Sequence, residues 1–294
     1  MDNQTNTSTH KYAVVTGANK GIGLAIVQQL AIEGITVVLT ARNEESGTEA
    51  ALTLTKSGLP NIVFHQLDVQ DSASVETLAG FVNNAGASGV EVDAEGLKSL
   101  NIDSATWLSG NATNMVQGLM RQTYEKAKEC IDTNYYGCVR VTEALLPLLQ
   151  LSISGARIVI VSSLRSELKR IPNEQIRKSL GDLDTLSLEK LDEMLQTFLR
   201  DLKEGVLVAN GWPTMVPAYS ISKATVNAYT RIVAKKYKEM CINCVHPGFV
   251  ATDLNLHTGT MTVDEGARSP VLLALLPDGS PSGCYFDQTQ MAEF

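Results

Sequence analysis

A doubly wound α/β fold is the architecture this chain predicts, on three observations. Short apolar, β-branched segments alternate with longer amphipathic ones, the pattern of parallel strands buried under helices on both faces. A glycine-rich turn, Gly17-Ala18-Asn19-Lys20-Gly21-Ile22-Gly23, joins the first strand to the first helix. The 294 residues contain no repeat, low-complexity tract or linker, and that length can bury the core of one large domain. We read residues 1–11 as a disordered N-terminal segment and 12–294 as a single domain.

The elements follow in order. Tyr12–Thr16 is an apolar strand, and Gly21–Ile32 a helix stopped by Gly34. Thr36–Thr40 is a second strand, Glu44–Ser57 a helix ended by Gly58 and Pro60, and Ile62–Leu67 a third strand. Then come a long helix from about Glu125 to Leu149, a strand Arg157–Ser162, a helix from about Ala218 to Tyr237 and a strand Ile242–His246. Two long segments, about 87–124 and 164–216, leave the C-terminal ends of strands. Open α/β sheets bind ligands there, so both are candidate helical lids over the site, with surface decoration as the alternative. The second contains Leu188, Leu191, Leu195, Phe198 and Leu202 at helical steps, with Ser187 as N-cap and Gly205 as stop.

Composition narrows the function. The net charge of -8 and pI of about 5.1 argue against nucleic acid or anionic membrane as partner. The first ten residues are polar, and no apolar run approaches the roughly 20 residues of a membrane span, so a cytoplasmic location is expected. The five cysteines are scattered. Cys241 and Cys244 sit in a strand whose alternation points them to opposite faces, so no metal site is expected.

In the glycine-rich turn, the glycines let the backbone approach a pyrophosphate held at the helix N-terminus. At the end of the second strand, where an NAD enzyme places an acidic residue, the chain has Thr40-Ala41-Arg42-Asn43. Arg42, with Lys20, suits a 2′-phosphate and favours NADP(H). The alternative is a solvated Arg42, with Glu44 or Glu45 reading the ribose. The catalytic candidates are Ser163 at a strand end and the pair Tyr219 and Lys223, one helical turn apart. A neighbouring ammonium favours the phenolate, so the pair can exchange a proton with a carbonyl or alcohol near neutral pH.

The order of these motifs resembles the short-chain dehydrogenase/reductase family, with its Rossmann-type sheet. "VVTGANKGIG", "NYYG", "GWP", "AYSISKATVNAYTR" and "NCVHPGFVATD" are similar to the plant branch containing neomenthol dehydrogenase and salutaridine reductase, related to monomeric carbonyl reductases. The resemblance implies an NADPH-dependent reductase of a cyclic ketone, monoterpenoid or alkaloid, or the reverse oxidation. It makes Tyr219 the general acid, Lys223 the ribose ligand, Ser163 the group orienting the carbonyl, and Asn134 the holder of a relay water. It assigns Gly17, Asn19, Lys20, Gly21, Ile22, Gly23, Asp68, Val69, Asn83, Ala85, Gly86, Pro247, Gly248, Val250 and Thr252 to the cofactor. It implies a monomer, because the extra helices of 164–216 cover the surface other members use to dimerise. Branch members that reduce an enone C=C can carry Glu at the tyrosine position; Tyr219 favours carbonyl reduction.

One stretch departs from that pattern. Relatives carry roughly a dozen more residues between the equivalents of Phe81 and Val82, including the fourth strand. From the third strand to the fourth position the chain must cover about 22 Å. Residues 70–77 reach about 27 Å when extended but only about 12 Å as helix. We expect Leu78–Val82 to form a short, compromised fourth strand, the preceding helix to shrink to a turn, and Asn83 to be strained. A catalytically impaired or non-catalytic variant is the competing expectation.

Overall fold

The computed structural model describes residues 11–75, 84–152 and 155–294. The first half is β1 (Tyr12–Val15), α1 (Gly21–Ile32), β2 (Thr36–Ala41), α2 (Glu44–Lys56) and β3 (Ile62–Gln66). The three strands pair in parallel in the order β1-β2-β3. Boundaries match the sequence pattern to within a residue because the punctuation is physical. Asn43 caps α2 by accepting from the Ser46 N–H, and Gly34 takes a left-handed φ of 80° just past α1.

After the one-turn helix α3 (Ser72–Val75), the expected strand Leu78–Val82 and the strained Asn83 lie outside the described residues. The first insertion then forms β4 (Glu91–Val92), α4 (Ala94–Ser99), α5 (Ser104–Ser109) and β5 (Met120–Arg121), with β4 and β5 paired antiparallel. The single helix expected over Glu125–Leu149 is two helices, α6 (Tyr124–Ile131) and α7 (Gly137–Leu149), separated by a π-turn at Asp132–Tyr136. Hydrophobic periodicity runs through such a one-residue bulge without a break, and π-bulges concentrate at functional sites.

The second half holds β6 (Arg157–Val161), α8 (Glu174–Gly181), α9 (Leu188–Glu204), α10 (Pro217–Lys236), β7 (Cys241–His246), α11 (Val263–Ala274), β8 (Tyr285–Asp287) and β9 (Gln290–Ala292). β6, β7 and β8 run parallel and β9 closes the edge antiparallel. The two sheets form one layer. Val14 shares a core cluster with Ile158 and Ile160, Val15 shares the opposite-face cluster with Val159 and Val161, and α11 packs on both α1 and β6.

In α9, Ser187 caps the helix by accepting from the Lys190 N–H and Gly205 ends it at a φ of 73°. Its buried stripe of Leu191, Leu195, Phe198 and Leu199 packs on α6 and α10. Asp201 then accepts from Trp212 Nε1 at 2.8 Å and Asn210 Nδ2 at 2.7 Å, fixing the return of the chain.

Candidate active site

The C-terminal ends of the strands open into one cavity of about 690 Å³. One end is lined by the glycine-rich turn, Arg42, Asp68 and Val69; the other by residues of the first insertion, including Leu97, Trp107, Leu108 and Met120. The second insertion contributes only Leu164, Arg165 and Val216 among the described residues. Both insertions therefore reach the cavity, the first with more of its wall. The second insertion spends its apolar stripe on α6 and α10, while the first leaves its own facing the cavity.

At the turn, Gly17 and Gly21 take left-handed φ of 60° and 59°, which only glycine adopts without strain. A Cβ on Gly23 would stand 2.5 Å from Asn84 Nδ2 and 2.7 Å from the Gly17 carbonyl oxygen. Lys20 enters α1 extended, and no side chain caps the helix. Its first N–H groups therefore remain available to an anion, in the geometry that suits a dinucleotide pyrophosphate. Asn19 Nδ2 donates to Ser46 Oγ at 3.1 Å, anchoring the turn to α2. Ile22, Ala85, Gly86, Pro247, Gly248, Val250 and Thr252 all line the cavity. Arg42 is exposed, and its guanidinium has no hydrogen-bond partner among the described residues. Lys20 differs from expectation: its ammonium is paired with Asp253, which also meets His257 Nε2 at 2.9 Å.

Two residues the sequence reasoning did not single out hold the turn in place. Thr16 Oγ1 accepts from the backbone N–H of Asn84 at 2.8 Å and of Ala85 at 3.0 Å. Asn84 Nδ2 donates to the carbonyls of Thr16 and Gly17 at 3.0 and 3.2 Å. The run Asn83-Asn84-Ala85-Gly86, Asn-Asn-Ala-Gly, carries the signal, since a short amide beside a glycine turn can satisfy nearby backbone carbonyls.

Deeper in, Ser163, Tyr219 and Lys223 converge on the cavity. Lys223 is buried and donates from Nζ to the Val161 carbonyl at 2.8 Å; loss of hydration lowers its pKa. Its ammonium stands 5.8 Å from the Tyr219 ring centroid. Asn134, in the π-turn, accepts from the Ala87 N–H at 2.7 Å and donates to the Ala87 carbonyl and Ser222 Oγ, each at 3.0 Å. The helix between the insertions thus holds the loop after Asn-Asn-Ala-Gly against the tyrosine helix. Val216 begins α10 at the strained φ of 41°, and Gln122 Oε1 accepts from the Ala218 N–H at 2.8 Å in place of a cap. Beneath Ser163, Asn227 Nδ2 donates to Ser166 Oγ at 2.8 Å, and that hydroxyl donates to the Ser163 carbonyl.

The Tyr219 phenol reverses one expectation. Burial pushes its pKa up from 10.0 to about 12, against the smaller opposing effect of the Ser163 hydrogen bond. Desolvation outweighs the Ser163 hydrogen bond and the Arg165 charge together, so the phenol keeps its proton at neutral pH. Arg165, also missed, is 9% exposed and donates to the Trp107 carbonyl; burial lowers its pKa to about 10.

The parallel sheet, the glycine-rich turn and the Ser-Tyr-Lys convergence define an oxidoreductase site, and the chain belongs to the short-chain dehydrogenase family, whose pattern it matches over residues 11–175. Among its relatives, short-chain dehydrogenase/reductase 1 of Saponaria officinalis is 52% identical, covering 97% of this chain and 96% of that protein. The (+)-neomenthol dehydrogenase of Arabidopsis thaliana is 46% identical, covering 97% and 99%. The structure of salutaridine reductase from Papaver somniferum superposes with a TM-score of 0.88 at 44% identity, covering 95% and 99%. These relatives are named as reductases and dehydrogenases, and lend nothing to the non-catalytic alternative.

Proposed function

We propose that the protein is an NADPH-dependent reductase of a cyclic ketone, of monoterpenoid or alkaloid type, yielding the secondary alcohol, and that the reverse oxidation uses the same site. The observation that carries this reading is the meeting, in one cavity, of a protonated Tyr219 and Ser163 with a glycine-rich turn and an Arg42 that is unpaired among the described residues. The first turn of α1 and Arg42 would hold the pyrophosphate and 2′-phosphate of NADP(H), with Asp68 and Val69 toward the adenine. The bound cofactor supplies the hydride.

The chain's own residues do the rest. Ser163 donates to the ketone oxygen and orients it. Tyr219 Oη delivers the proton as negative charge develops on that oxygen, and its raised pKa keeps that proton available at neutral pH. Lys223, held on the Val161 carbonyl, sets a positive charge beneath the phenol and faces the ribose side. Asn134 ties Ala87, just past Gly86, to Ser222 on the tyrosine helix. The apolar lid wall excludes water and suits a terpenoid or alkaloid skeleton. We also propose a monomer, which the cover of α9 over α6 and α10 supports.

Tyr219→Phe should lower ketone-dependent NADPH oxidation by about 10²–10⁴-fold while NADPH fluorescence titration still shows binding. Undiminished turnover in that variant would refute the reading.

A further inference from the structure

We infer that Arg165 is a specificity-determining substrate anchor, placed to pair with a carboxylate carried on the apolar skeleton of the ketone. The inference rests on the reductase reading above and names a substrate class that it leaves open: a ketone that is also an organic acid.

Arg165 follows Ser163 by two residues, its backbone N–H donates to Ser163 Oγ at 3.2 Å, and it lines the same cavity as Ser163 and Tyr219. It lies at the lid end, because its guanidinium donates to the carbonyl of Trp107 in α5. Around it the wall is apolar: Leu97, Trp107, Leu108, Leu164 and Val216. The carboxylate nearest in sequence, Glu167, is taken by Arg170 at 2.9 Å and Lys169 at 3.2 Å. Among the described residues no acidic side chain forms an ion pair with Arg165. The acidic residues that line the cavity, Asp68, Glu129 and Asp253, lie away from α5: Asp68 and Asp253 flank the glycine-rich turn and Glu129 is on α6.

A guanidinium that is nine-tenths buried and carries, among the described residues, one carbonyl as partner is expensive to hold in an apolar wall. A carboxylate arriving with the ligand would relieve that cost through a charge-assisted, bidentate contact. A structural role is the competing account. Arg170 Nη1 donates to the next carbonyl, Leu108, at 2.9 Å, so the two arginines together close the end of α5. A capping role requires no anion, which separates the two accounts by experiment.

The test uses two ketones that differ in one charge: 4-(4-oxocyclohexyl)benzoate and its methyl ester, with NADPH as reductant. The parent protein should prefer the acid by about tenfold to hundredfold in kcat/KM, mostly through KM. In Arg165→Met the acid-to-ester ratio should collapse toward one, whatever happens to the absolute rates. A purely structural arginine would lower both substrates together and leave the ratio unchanged, and that result overturns the inference, as does a parent with no preference for the acid. If circular dichroism shows that Arg165→Met does not fold, Arg165→Lys is read instead. It keeps the charge but loses the planar fork, so the preference should shrink and not vanish; an undiminished preference counts against the anchor. If the parent reduces neither ketone, the reductase reading fails on its own. The anchor is then judged by calorimetry with the benzoate ketone: binding that weakens at least tenfold in the arginine variant upholds it, and equal binding overturns it.

Discussion

At the scale of single residues, burial decides the chemistry of the Tyr219 site. A phenol raised from 10.0 to about 12 is fully protonated below neutral pH and through it, and is lost only as pH climbs through the raised value. The acid needed for reduction is therefore the resting form. An ultraviolet difference titration of the cofactor-free parent against Tyr219→Phe should show no tyrosinate from this residue up to pH 10; a midpoint below that value would mean the cations outweigh desolvation. Ser163, Tyr219 and Lys223 were readable from residue type and spacing. Arg165 was not, because an arginine in a loop acquires meaning only from what packs around it, and Asn84 was legible only as part of the Asn83-Asn84-Ala85-Gly86 run. Arg42 was readable, and its exposed guanidinium, unpartnered among the described residues, fits a 2′-phosphate. NADPH should bind at least about tenfold tighter than NADH, since one charge-assisted contact contributes roughly 1.5–3 kcal/mol. Arg42→Ala should narrow that gap in parallel fluorescence titrations, and equal affinities in the parent would refute it.

At the scale of elements, the turn from β1 to α1 and the break between α6 and α7 do the positioning. The turn has no spare volume: a Cβ on Gly23 meets Asn84 Nδ2, the Gly17 carbonyl and, at 2.9 Å, Ala18 Cα. Two of those three atoms are backbone and cannot swing away. Gly23→Ala should cost about 1–3 kcal/mol by overpacking and loosen NADPH more than tenfold; urea melts and cofactor titration would reveal it, and parent-like values would refute the close approach. The break between α6 and α7 was invisible to periodicity, which reads faces of a regular helix. Its purpose lies in contacts with Ala87 and Ser222, distant in sequence from Asn134. The lids show the same limit. Both insertions carry apolar residues, and only packing reveals that one faces the cavity while α9 covers α6 and α10.

For the whole molecule, the short stretch between Val75 and Asn84 bears on the stability of the sheet. β1 has one described strand neighbour, β2, although Val14 and Val15 are fully buried. Any backbone group of such a buried strand that lacked a partner would cost about 1–3 kcal/mol. We expect a thermal midpoint below that of the Papaver somniferum salutaridine reductase measured alongside. NADPH at about 100 times its Kd should restore about 2.7 kcal/mol. A cofactor-free midpoint equal to that relative's would show that β1 pays no such penalty.

Sequence alone determined the order of the first three strands and the helices between them, the parallel sheet, the glycine-rich turn and the identity of the Ser, Tyr and Lys candidates. Each of these is encoded locally, in the period of apolar residues, in glycines where φ must be positive, and in one helical turn between Tyr219 and Lys223. Only the tertiary structure decided which insertion roofs the cavity, which way the Tyr219 phenol titrates, and that Lys20 faces Asp253 across the cleft. Those outcomes depend on desolvation and on neighbours far apart in the chain, and neither quantity exists until the chain has folded.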